Sequence, residues 1–180
     1  MISTQATDSM ERIFRRAVQA RLPLGADDDC EVTREDNVHA APSHSHGNVV
    51  MLTISSIAFR MIMVLHFEDD ASTRAYCVSR HAEASVRDTL LEAWNLCCGA
   101  VNQELLDFFP DLGMSTPYVL GAHCVRYLDE LKPDYLASFA IDINGCARFS
   151  ATLGVCADAT IDFIASETAI AETSGELELF

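Results

Sequence analysis

From Glu83 to Phe109 the chain places apolar residues at helical spacing, and no other stretch repeats as regularly. At about 100° per residue, Leu90, Leu91, Trp94, Cys97, Cys98, Val101, Leu105 and Phe108 fall within an arc of about 120°. The pattern predicts one long helix with one buried stripe, and Pro110 closes it. A stripe of that kind must lie on another apolar layer. The flanking segments supply one. Residues 49–67, VVMLTISSIAFRMIMVLHF, are rich in β-branched and aromatic side chains. They predict two strands, about 49–55 and 58–67, joined at Ser55-Ser56. Residues 117–126, 134–142 and 146–155 predict three more, the last two joined by Asn144-Gly145, a strong hairpin signal.

The remaining segments are weaker. Residues 68–82 read as a polar connection. Asp158 to about Ala171 predicts a final helix, with Ile161, Phe163, Ile164 and Ala165 as core contacts. At the other end, Thr7, Asp8 and Ser9 offer helix caps, and Pro23 with Gly25 ends a helix within residues 1–25. Arg12, Arg15, Arg16 and Arg21 make it the only basic segment. Those arginines form either a solvated face or a dock for an acidic partner. Residues 26–48 are polar and read as a loop or insert. Residues 49–180 then hold the main domain. The fold class is α+β: a single domain whose antiparallel sheet is covered by long helices on one face.

Composition excludes several functions. The 180 residues hold 12 Lys+Arg against 27 Asp+Glu, a net charge of −15. That surface repels phosphate backbones and anionic lipid, so neither nucleic acid nor membrane is an expected partner. The seven cysteines, Cys30, Cys77, Cys97, Cys98, Cys124, Cys146 and Cys156, are odd in number and include no C-x-x-C. They read as small apolar residues in a reducing compartment. The first residues lack an apolar signal core, and Val49–Phe67 is too interrupted to span a membrane. The expected location is cytoplasmic. His39, His44 and His46 share the polar insert, but a metal site needs three or four fixed ligands, and nothing there fixes them. Arg60 and His66 are expected at the solvent or a rim. His66 reads as a satisfied edge histidine, because no Ser or Cys nucleophile motif accompanies it.

The polar face of the long helix carries the chemistry. Asp88, Glu92 and Asn95 stand at i, i+4 and i+7, opposite the apolar stripe, and Gly99 follows one turn later. A glycine inside a helix costs about 1 kcal/mol relative to alanine, so it reflects packing or access. An ordinary polar face produces the same spacing, because Asp, Glu and Asn are common on exposed helices. The run D-T-L-L-E-A-W-N-L-C-C-G, with Pro117 beyond it, resembles the signature of the CheC/CheX/FliY chemotaxis phosphatases. That signature is Asp or Ser, three residues, Glu, two residues, Asn, about twenty-two residues and Pro. Asp88, Glu92, Asn95 and Pro117 fill those places with a spacer of 21 residues. The resemblance covers about residues 45–170 and is closer to one-site CheX than to two-site CheC.

That resemblance implies a substrate, the aspartyl phosphate of a CheY-like response-regulator receiver domain. It implies that Asn95 positions the attacking water and that Glu92 pairs with the receiver's active-site lysine. Asp88, Gly99 and Pro117 would be accessory, assisting docking, access and the strand beneath the site. No cofactor is implied on this chain, since the receiver holds the Mg²⁺. CheX-type members also imply a homodimer. The alternative on the same fold is a non-catalytic module that binds or scaffolds a receiver.

Overall fold

The structure is a computed structural model and describes residues 1–35, 47–80 and 85–166. In chain order its elements are α1 (Thr4–Arg21), β1 (Cys30–Glu35), β2 (Asn48–Ser55), β3 (Phe59–Phe67), α2 (Ala71–Arg80) and α3 (Val86–Leu105). They continue with β4 (Gly113–Met114), β5 (Tyr118–Gly121), a 3-10 helix (Ala122–Leu131), β6 (Tyr135–Ile143) and β7 (Ala147–Ala157). The strands form one antiparallel sheet in the order β1-β6-β7-β3-β2-β4, with β5 also paired to β2. The α+β class and the single antiparallel sheet are those expected.

Alternation along the strands divides the core. Phe59, Met61, Met63 and Leu65 of β3 turn to one face, where α1, α2 and α3 cover them. Ile62 and Val64 turn to the other face with Val49, under Val125 and Leu128 of the 3-10 helix. The α-helices thus share one face, as predicted, and the short 3-10 helix partly covers the second. Trp94 anchors α3 with no exposed surface. Its ring meets Phe14 of α1 edge-on, with centroids 6.1 Å apart, and its Nε1–H donates to the Met63 carbonyl at 3.4 Å. The hairpin between β6 and β7 turns at Asn144 and Gly145, with φ of 55° and 66°. Positive φ at both central residues is what the tight primed turn requires.

Several expectations are corrected. The N-cap of α1 is Ser3, whose Oγ accepts the Ala6 N–H, rather than Thr7, Asp8 or Ser9. Residues 30–35, expected as loop, form β1 and pair with β6. Residues 71–80, expected as connection, form α2; Asp70 starts it, its carboxylate accepting the Thr73 N–H at 2.8 Å. The strand expected over 117–126 stops at Gly121, and the 3-10 helix follows. Residues 158–166 are not helical. They run extended beside α1, where Ser3 N–H donates to Ile161 O and Ile161 N–H to Met1 O, both at 3.0 Å. Ile161 and Ala165 are buried while Ile164 is 65% exposed, the period of extended chain rather than of a helix. Two of the α1 arginines are engaged within the chain. Arg16 bonds Glu104 at 3.1 Å and Arg12 bonds the Ala165 carbonyl at 3.2 Å.

Candidate functional site

Helix α3 carries the candidate residues. Ser85 caps its start: its Oγ accepts the Asp88 N–H at 3.1 Å and donates to Asp88 Oδ2 at 2.7 Å. Asp88 therefore closes a reciprocal cap three residues into the helix. It also sets a carboxylate against the positive end of the helix dipole. This is a structural duty that the signature spacing did not suggest.

One turn on, Glu92 is exposed and Asn95 half-buried. At i, i+3 their Cβ atoms lie about 5–6 Å apart, so one approaching group can meet both. Neither makes a hydrogen bond or an ion pair among the described residues. The arrangement offers a fixed negative charge beside an amide that can both donate and accept.

Gly99 extends the same face. A Cβ built on it meets nothing within 4 Å, so no contact among the described residues asks for glycine there. Leu96, 53% exposed, flanks Glu92 and Gly99. Pro117 stands one residue before β5 on the edge that pairs with β2. That edge segment is pinned by Ser115, whose N–H donates to Thr53 O at 2.9 Å and whose Oγ accepts the Thr53 N–H at 3.0 Å. Helix α3 packs across β2 and touches β4. Asp88, Glu92, Asn95 and Gly99 thus share one helix face, with Pro117 on the neighbouring sheet edge.

The other flagged residues do not join that face. His66, expected at a rim, is only 8% exposed; one ring nitrogen, Nε2, lies 2.9 Å from Thr152 Oγ1. Burial lowers its pKa from 6.5 to about 4, so the imidazole is neutral at neutral pH. It borders a cavity of about 430 Å³ on the second face of the sheet, away from α3. The seven cysteines are free thiols, and burial pushes those of Cys97 and Cys98 upward, which makes them unreactive. His39, His44 and His46 lie outside the described residues. Among the described residues no three His, Cys, Asp or Glu side chains gather to hold a metal. No described helix is long and apolar enough to cross a membrane.

No protein-family model matches the sequence, and no curated protein matches it. Solved structures do match. The CheX protein of the CheX–CheY–BeF₃–Mg²⁺ complex from Borrelia burgdorferi superposes with a TM-score of 0.57. It is 7% identical and covers 83% of this chain and 97% of its own. The chain has the CheC/CheX fold. A putative chemotaxis protein from Desulfovibrio vulgaris Hildenborough gives a TM-score of 0.55 at 11% identity, over 85% of this chain and 99% of its own. CheX from Vibrio vulnificus gives 0.53 at 11% identity, over 82% and 97%. An 85% share exceeds residues 45–170, so the CheX fold takes in elements outside the span that carried the sequence resemblance. Identities this low establish the fold, and the chemistry must be argued from the site.

Proposed function

We propose that this chain is a CheX-like member of the CheC/CheX/FliY phosphatases. It binds a phosphorylated CheY-like receiver domain and hydrolyses its aspartyl phosphate. The observation that carries the reading is the pair of exposed Glu92 and half-buried Asn95, without hydrogen-bond or ion-pair partners among the described residues, on the long helix of a CheX fold. The B. burgdorferi protein of that fold is seen in complex with CheY. Gly99 supports the reading, because its open surface lets a partner backbone approach α3.

The roles follow from the chemistry. Asn95 enters the receiver site and holds a water in line with the scissile phosphorus–oxygen bond. The water oxygen bonds to phosphorus, the bond to the aspartyl oxygen breaks, and the proton leaves with inorganic phosphate. The aspartate is returned as carboxylate. A neutral amide orients water without repelling the phosphoryl group, and positioning is most of what this reaction asks of a protein. Glu92 pairs with the receiver's lysine and fixes the approach of α3. Asp88 acts indirectly, through the cap that holds the first turn. Pro117 shapes the edge beside the site. The receiver brings the Mg²⁺, and the reaction takes place in the cytoplasm. The functional unit is a homodimer, joined through a sheet edge or a strand face.

The test is loss of label from a ³²P-phosphorylated receiver. Catalytic addition of the chain accelerates it, and Asn95→Ala removes the acceleration. If the chain binds the receiver without speeding label loss, the scaffold reading replaces the enzymatic one.

A further inference from the structure

The α1 arginines frame a groove that phosphatase chemistry does not use. Strand β1 ends the sheet, with β6 on one side and no described strand on the other. The Asn144 N–H donates to the Asp29 carbonyl at 3.0 Å, which sets the phase of the ladder. In an antiparallel pair, alternate residues turn both backbone groups toward the partner strand. Glu31, Thr33 and Glu35 therefore face β6, and Cys30, Val32 and Arg34 turn theirs outward. Gln19 donates to the Cys30 carbonyl at 3.4 Å. The outward groups of Val32 and Arg34 bond nothing among the described residues.

An open groove of about 530 Å³ runs beside this edge, with Val32 on one side and Asp8, Arg12, Arg15 and Gln19 of α1 on the other. Its charges are unequally engaged. Glu11 is consumed by Arg34 and the Tyr135 hydroxyl. Arg16 is paired with Glu104. Arg15 has neither a carboxylate nor an acceptor for its Nε–H among the described residues; its guanidinium lies over Phe139, 5.5 Å from the ring centroid. A cation without a counter-charge is conspicuous in a chain of net charge −15.

We propose that this groove docks an extended acidic segment of a partner protein, which adds to the sheet along β1 and sets a carboxylate against Arg15. Strand addition takes affinity from the edge backbone and specificity from alternate side chains. Side chains pointing to the α1 side meet Arg15 and Arg12. Those pointing to the other side meet Glu31, Thr33 and Glu35. The segment that fits alternates acidic with neutral or basic residues. Its binding is independent of Glu92 and Asn95, on a different element.

The probe is a fluorescein-labelled peptide of alternating Glu and Thr, titrated into the full chain and read by anisotropy. Saturable binding is expected, weakened about tenfold by Arg15→Glu and by Arg15→Met, which keeps the packing on Phe139. Replacing the peptide's Glu by Gln, or methylating alternate amide nitrogens, weakens it on the wild-type chain with no change to the protein. A peptide of the same composition with its Glu residues grouped binds less well. Absence of saturable binding overturns the proposal, as does binding indifferent to both peptide changes. Self-association without peptide, abolished by Arg15→Glu, assigns the edge to a second copy and also overturns it.

Discussion

Acidification destabilises this fold through His66. Its imidazole is 8% exposed, with Nε2 at 2.9 Å from Thr152 Oγ1, and its pKa lies at about 4 in the folded chain. In the unfolded chain it returns to about 6.5. Between those values the unfolded state binds the extra proton, so stability rises with pH across the window. The contribution is complete above 6.5 and is lost as pH falls to 4, a difference of about 3 kcal/mol. The assay is urea unfolding of wild type and His66→Gln at pH 7, 6, 5 and 4. Other titrating groups cancel in the difference between the two chains. Wild type should lose about 3 kcal/mol more than the variant, most of it below pH 6. Parallel stability profiles, or a His66 NMR titration near 6.5, would refute the assignment of a buried neutral imidazole.

Trp94→Ala should lower unfolding free energy by about 3–5 kcal/mol, since it empties a fully buried site against Phe14 and Met63; denaturant midpoints measure it. Gly99→Ala should raise stability by about 0.5–1 kcal/mol, because the added methyl meets nothing. The same variant should weaken receiver binding, read by titration against a phosphomimetic-loaded receiver. Glu92→Ala and Asn95→Ala should shift stability by less than about 0.5 kcal/mol, as expected for side chains without polar partners among the described residues; thermal melts check this. Light scattering at micromolar concentration should give a dimer mass, and a monomer would count against the homodimer.

Burial decided what was legible in the sequence. Helix α3 and strands β2, β3, β6 and β7 each present a continuous apolar face to the core, so their periods show directly. Strand β1 hides because CEVTRE buries only Cys30 and Val32, and its ladder is backbone chemistry that side chains do not announce. Helix α2 buries Thr73, Tyr76 and Cys77, too short an apolar run to show a period, but Asp70 ahead of Thr73 is a cap signal in the sequence. The 158–166 segment misleads because Ile161, Ile164 and Ala165 fit a helical stripe, whereas pairing with Met1 and Ser3 draws it straight. At the site, spacing placed Glu92 and Asn95 on the outer face of α3; Glu92 stands exposed there and Asn95 half-buried. It could not show that the Asp88 carboxylate serves the Ser85 cap, which depends on where the helix begins.

The central claim is that Asn95 acts on the transition state and Glu92 on association. Single-turnover loss of receiver phosphate, followed across concentrations of each variant, separates the two. Asn95→Ala should lower the plateau rate while the half-saturating concentration stays near wild type. Glu92→Ala should raise the half-saturating concentration, with wild-type binding more salt-sensitive than the variant's. An Asn95→Ala chain that dephosphorylates the receiver at the wild-type plateau rate would contradict the account.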